Sequence, residues 1–276
     1  MVSSGLSGFK PKNRHAVRIA AGKIYFTFKR YLFWLFGDIK FAHIHKNMDN
    51  NKFDYKHFSH QTPLLRQLKD VEMYLQHNKI TNLRIAIPKI NGVIINPGET
   101  FSYWKLIGKP TKYKGYLKGM VLKNGTFEAG TGGGLCQLSN LIYWMTIHTP
   151  LTVVERHRHG FDVFPDADRT QPFGSGATCF YNYVDLMIKN ETNQPFQLLL
   201  EVTENELKGI WKSTKPPDCK YEVYEKDHLI QSAYGGYTRH NRIFRKKYAL
   251  NDLLLADEFI AENHAIMMYA PLLPIQ

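Results

Sequence analysis

The sequence predicts an α+β protein: a mostly antiparallel sheet with a glycine loop and cysteine-bearing helix packed on it, and further helices at the N- and C-terminal ends. Three observations predict it. Leu138, Leu141, Ile142 and Met145 fall on one helical face directly after Gly132-Gly133-Gly134, and Pro150 closes that segment. Short β-branched or alternating runs bounded by turn residues lie on both sides of this helix. The 276 residues, 43% of them apolar, suffice for one substantial core with smaller flanking elements.

Taken in order, residues 1–60 form a basic aromatic segment with eleven Lys/Arg against three Asp, a net +8 of the chain's +12. Val17, Ile24, Phe28, Tyr31 and Leu35 recur there at helical spacing, and residues 31–36 are strongly apolar. Lys29 and Arg30 interrupt the run, which falls far short of the roughly 18 apolar residues needed to span a bilayer. Such a helix either lies in an anionic membrane surface or docks on the core. The core domain is assigned to 61–214. Thr62 as N-cap and Pro63 at the first helical position start a helix with Leu64, Leu68, Val71 and Leu75 on one stripe. Strands are expected at 83–87 and 92–95, with Asn96-Pro97-Gly98 as a turn, and Lys123-Asn124-Gly125-Thr126 makes a hairpin. After the cysteine helix, 153–159 reads as a strand with His157 and His159 on one face, and 177–188 as a second strand. Strands at 197–203 and 208–213 lead to a Pro216-Pro217 linker. The extension 215–276 holds a basic patch, 239–247, and an acidic-apolar segment, 251–269, read as a helix.

Cys136 carries the chemical signal. A thiol at a helix N-terminus meets unpaired N–H groups and the positive end of the helix dipole, which favour a thiolate. Gly132, Gly133, Gly134 and Gln137 are the candidate binding or oxyanion elements. A base is offered by His159, with His157 as the alternative and Arg156 beside them, and Asp185 is placed to orient the imidazole. Helix-Cys, strand-His, strand-Asp resembles the order in transglutaminase-like and other papain-like thiol enzymes. The competing reading makes Cys136 a small core residue behind a glycine-rich turn.

Other classes are excluded on pattern. No Lys-Ser/Thr follows the glycines, as a Walker loop requires, and no dinucleotide fingerprint can be drawn. His157 and His159 with Cys136 or Asp162, Asp166 and Asp168 could assemble zinc ligands, but Cys-x-x-Cys and His-Glu-x-x-His spacings are missing, so no metal or cofactor is expected. Charge alone suggests nucleic acid, and without a reader motif none is expected as a partner. Three cysteines, an odd number, argue against a disulfide scaffold, so Cys179 and Cys219 read as reduced thiols. Residues 1–12 lack a secretory h-region, so the expected location is cytoplasmic, peripheral to the inner membrane surface if the basic helix binds it.

The runs Asn96-Pro97-Gly98-Glu99-Thr100-Phe101-Ser102, Gly132-Gly133-Gly134-Leu135-Cys136-Gln137-Leu138-Ser139-Asn140 and His148-Thr149-Pro150-Leu151-Thr152-Val153-Val154-Glu155-Arg156, continuing to Asp185-Leu186-Met187-Ile188-Lys189-Asn190, resemble the VanW family. That family includes an accessory protein of B-type vancomycin resistance clusters in bacteria. Its glycine-cysteine-glutamine element falls on Gly133, Gly134, Cys136 and Gln137, and its histidine after the Glu-Arg pair on His159. The resemblance implies association with the bacterial cell envelope and carries no reaction. The expected function is thiol chemistry, amide hydrolysis or acyl transfer on a peptidoglycan-like substrate. Its rival is a non-enzymatic envelope-ligand binding or accessory module in which Cys136 is structural.

Overall fold

The computed structural model describes residues 16–44, 52–66, 71–123, 125–165, 171–233 and 235–271. Leu68, Asp166, Asp168, Asn124 and the first fifteen residues lie outside them. The architecture is α+β, with mostly antiparallel sheets around the helix that follows the glycines.

That helix, α4 (Cys136–Thr146), follows from its sequence: Leu138, Leu141, Ile142 and Met145 are all at most 1% exposed. It lies across β1 (Tyr55–Pro63) and β10 (Glu206–Ser213) of a four-stranded sheet ordered β1-β10-β9-β2, with β9 at Phe196–Val202 and β2 at Ile94–Ile95. Gly209 allows the close approach, since a Cβ there would stand 2.5 Å from the Met145 methyl. Two residues along the strand, Trp211 is fully buried and donates its indole N–H to Thr146 Oγ1 at 3.2 Å.

A three-stranded sheet ordered β3-β8-β6 joins β3 (Thr100–Ser102), β8 (Met187–Lys189) and β6 (Thr152–Glu155). The expected hairpin forms between β4 (Lys118–Lys123) and β5 (Thr126–Thr131), with Gly125 at φ 80° in the turn. Beyond residue 218 lies a ribbon of long strands, β11 (Cys219–Ala233), β12 (Gly236–Ala249) and β13 (Leu254–Met267). The two-residue β7 (Phe161–Asp162) pairs in parallel with β13.

Several expectations are corrected. Thr62 and Pro63 end a strand rather than start a helix: Pro63 occupies the last position of β1, and the Leu64 N–H closes onto Asn205 O at 2.8 Å. The helix begins further on, as α2 (Met73–Ala86), and absorbs most of the expected strand at 83–87. Leu75, Asn82, Leu83 and Ala86 share its buried face, and Pro88 follows within a short 3-10 turn. The strand after α4 stops at Glu155, because Arg156 turns to the carbonyls of Gly174 and Gly176; His157 and His159 therefore sit in irregular chain, not on a strand face. Within 177–188 only the last two residues join a strand, β8. The C-terminal helix expected over 251–269 is β13: Ala261, Asn263, Ala265 and Met267 alternate into the interior, and Asp257, Glu258 and Glu262 face Lys246, Arg245 and Arg242 across the ribbon.

The N-terminal helix is present as α1 (Ala16–Phe36). Its docked side carries Arg30, Phe33 and Trp34. Of the apolar stripe, Val17, Ile24, Phe28 and Leu35 lie on the other side and are exposed, at 81%, 72%, 61% and 71%, whereas Tyr31 meets the Tyr181 hydroxyl at 2.5 Å and packs against the Trp34 ring. No helix among the described residues is long and apolar enough to cross a membrane.

Candidate functional site

The glycine loop is built by long-range bonding. Gly132 and Gly134 hold φ at 77° and 90°, where a side chain would be strained. Gly133 packs backbone to backbone against Gly119 of β4, leaving a Cβ only 2.2 Å from the Gly119 carbonyl. All three glycine N–H groups are already spent, on Leu117 O at 2.9 Å, Gly130 O at 3.0 Å and Met120 O at 2.9 Å respectively. Asn82, fully buried on α2, locks the arrangement: its Nδ2 donates to Gly133 O at 2.9 Å and Leu117 O at 3.1 Å, and its Oδ1 accepts from Leu117 N at 2.8 Å. The glycines thus clamp the hairpin onto α2 and offer no donor to an oxyanion.

Cys136 is partly exposed as a residue, but its Sγ turns to the main-chain oxygen of buried Cys179, 3.8 Å away. Burial pushes its thiol up from the ordinary range, although the N–H groups of Cys179 and of Cys136 itself favour the thiolate. Cys179 is raised well above its usual value by burial, then by the proximity of Cys136 and Asp185. Tyr103, which donates to Leu135 O at 2.9 Å, is raised likewise, by burial first and by both cysteines next. The surroundings of Cys136 favour neutral groups, which reverses the effect expected from the helix N-terminus alone.

Asp185 is fully buried and belongs to a structural network. Its Oδ2 accepts from Ser102 Oγ at 2.5 Å, and its Oδ1 from the N–H groups of Trp104 and Leu186, both at 2.9 Å. Ser102 Oγ in turn accepts from Lys105 N at 3.2 Å as the N-cap of α3 (Tyr103–Ile107). Burial lifts the Asp185 carboxyl to about 7 against the bonds from Ser102 and Trp104, with Glu155 adding to the rise and Arg30 opposing it. Among the described residues none of its hydrogen bonds runs to a histidine.

His159 instead packs edge-on against Phe180, ring centroids 6.0 Å apart, and burial followed by the Arg158 charge lowers its basicity. His157 Nε2 lies 3.0 Å from Glu155 Oε1. Arg156 stacks over the Tyr143 ring at 5.0 Å and reaches Asn263 Oδ1 at 3.1 Å, tying α4 and the loop after β6 to the ribbon. Gln137 donates through Nε2 to Thr62 Oγ1 and Pro63 O, each at 2.9 Å, fastening α4 to the end of β1. Asp162, considered above as a metal ligand, accepts from Tyr269 at 2.9 Å and faces Arg239 at 3.4 Å. The structure brings Cys136, Cys179, Tyr103 and Asp185 together, with His157 bonded to Glu155 at the edge of the cluster and His159 packed on Phe180.

Sequence reasoning missed two elements. Arg30 pairs bidentately with Glu155, at 2.8 and 2.6 Å, and also donates to Tyr183 O at 3.1 Å. Asn140 Oδ1 accepts from Ala177 N at 2.8 Å, and a Cβ on Gly176 would stand only 2.6 Å from that oxygen. The signal available for the first was a basic residue interrupting the apolar run of α1.

A glycine turn locked to a hairpin thus opens a buried helix laid on antiparallel strands. Residues 78–211 match the family model described as VanW like protein. The chain is 32% identical over 179 residues to the vancomycin B-type resistance protein VanW of Enterococcus faecalis, covering 65% of this chain and 65% of that protein. It is also 29% identical over 117 residues to the uncharacterized protein YoaR of Bacillus subtilis, covering 41% of this chain and 36% of that one. The chain thus spans less than two thirds of either relative. No solved structure gives a significant match. The segment matched by the family model, 78–211, contains α4 and Asp185 but neither α1 nor the C-terminal ribbon.

Proposed function

We propose that this chain is a non-catalytic accessory module of the bacterial cell envelope, of the kind linked to glycopeptide resistance, that works at an anionic membrane surface. The exposed stripe of α1 carries the reading. Val17, Ile24, Phe28 and Leu35 lie on the side of the helix away from Arg30 and Trp34, where an exposed apolar surface marks an interaction site. Arg18, Lys23 and Lys29 on the same helix suit it to anionic lipid, and its docked side keeps the core beside the surface it binds. The full chain is expected to sediment with phosphatidylglycerol-rich vesicles and not with pure phosphatidylcholine vesicles, less so as salt rises. Replacing Ile24, Phe28 and Leu35 together by serine should weaken binding by roughly ten-fold or more, because each is a large side chain that the lipid interface would bury. Equal binding by the triple variant would sink the membrane reading.

The rival is Cys136-dependent amide hydrolysis or acyl transfer with His159 as base. Spent glycine donors and a thiol pushed up by burial weigh against it. In a variant whose other thiols are removed, Cys179→Ala with Cys219→Ser, alkylation of Cys136 by iodoacetamide is expected to stay slow at neutral pH and to rise only in the alkaline range. Rapid alkylation near neutral pH would restore the enzymatic reading and displace ours.

A further inference from the structure

We propose that His240, Glu262 and His264 form a surface site for a late first-row divalent ion of the zinc class, on the C-terminal ribbon and outside the VanW-like segment. The register of the ribbon builds it. His240 on β12 stands directly opposite His264 on β13, and Glu262, two residues before His264, projects from the same face. Each of the three can offer one ligand atom, and these atoms all lie within 4.8 Å of one another.

The pairwise geometry suits a shared ion. The two Nδ1 atoms are 3.0 Å apart, Glu262 Oε1 is 3.3 Å from His264 Nε2, and it is 3.6 Å from His240 Nε2. Ligand atoms placed tetrahedrally about zinc, each about 2.0–2.2 Å from it, are separated by about 3.4 Å. Two imidazole nitrogens at 3.0 Å must share a proton or a cation. The rings are tilted by 39° with centroids 4.2 Å apart, and rotation about χ2, a soft torsion for histidine, can turn a nitrogen of each toward a shared point. The cross-strand partner of Glu262 is Arg242, which is engaged with Asp227, so the carboxylate is left facing the histidine pair. Imidazole and carboxylate together select zinc, nickel or copper over magnesium or calcium, which prefer all-oxygen shells. Three protein donors on an exposed face leave a coordination position open to water or to an external ligand.

The test uses the full chain, stripped with chelator and titrated with Co2+ while its visible spectrum is followed, then with Zn2+ as competitor. A single ion per chain with intense d–d bands, displaced by Zn2+, is expected. His264→Ala and His240→Ala should each abolish those bands, and Glu262→Ala should weaken binding by roughly ten-fold or more, as loss of one of three direct ligands implies. All three side chains are partly or largely exposed, so far-UV circular dichroism should remain that of the parent. Absence of bands in the parent, or bands of equal strength in either histidine variant, overturns the site. Unchanged affinity in Glu262→Ala overturns the three-donor assignment.

Discussion

Asp185→Ala is expected to destabilise the folded protein by about 3–5 kcal/mol, the largest effect of any single change near the cysteine helix. Asp185 is fully buried, and its removal strands three donors at once: the Ser102 hydroxyl and the N–H groups of Trp104 and Leu186. Those donors fix the start of α3 and the entry to β8, so the loss propagates into both sheet and helix. Asp185→Asn keeps an acceptor and should cost less. The pH dependence has a definite sign. Burial lifts the carboxyl from 3.8 to about 7, so the native state holds a proton that the unfolded state has released. The stabilisation this provides is fully present below about 4 and is lost as pH rises through about 7. Urea unfolding across that window should show stability falling with pH in the parent and a flatter profile in Asp185→Asn. A residue that merely oriented a catalytic base would leave stability intact. Unfolding midpoints for Asp185→Ala within about 1 kcal/mol of the parent would refute the structural role.

What could be read from the sequence was local. The α4 stripe was legible because a helix with one buried face repeats its apolar positions every three to four residues, and Leu138, Leu141, Ile142 and Met145 do so without interruption. The β4–β5 hairpin was legible because Asn124-Gly125 is a turn signal independent of what packs on it. The C-terminal strand was not, because residues 251–258 consist largely of helix formers and Leu254 and Leu255 are both exposed, so no alternation marks the first turn of the pattern. There, pairing with β12 overrides intrinsic preference. Thr62-Pro63 reads equally well as a helix start or a strand end, and only β10 decides.

The candidate site divides in the same way. That Cys136 opens a helix is local information, and it is right. That the preceding glycine N–H groups are consumed depends on Leu117 and Met120 of a hairpin curled back over the loop, and that Asp185 serves Ser102 depends on a partner 83 residues away. Thiol reactivity is set by those distant contacts, so a helix-terminal cysteine in a sequence suggests a low thiol pKa and does not establish one.

Arg30→Ala is expected to cost about 2–4 kcal/mol and to detach α1 from the core, because it breaks a largely buried ion pair and leaves one partner behind. The guanidinium makes both bonds to Glu155 and a third to Tyr183 O, at side-chain exposures of 11% for Arg30 and 21% for Glu155. Without it Glu155 keeps only His157 and the Asp185 N–H, at 3.0 and 3.2 Å. Burial alone would raise the Glu155 carboxyl; the bonds from His157 and Arg30, the Arg30 charge and the Asp185 N–H outweigh it and hold the group at about 2. A carboxyl depressed on folding gives stability that is fully present above its unfolded value near 4.5 and is lost as pH falls through about 2. Arg30→Ala removes two of the terms that depress it, so acid unfolding should begin at higher pH than in the parent. Glu155→Gln, which removes the charge and keeps the shape, should give the smaller loss and no acid shift of its own. The outward stripe of α1 is untouched by Arg30→Ala, so vesicle binding should persist while the core loses stability, separating the surface that binds lipid from the one that docks. Identical acid and urea midpoints in Arg30→Ala and the parent would mean that α1 is held by Trp34 and its apolar neighbours alone.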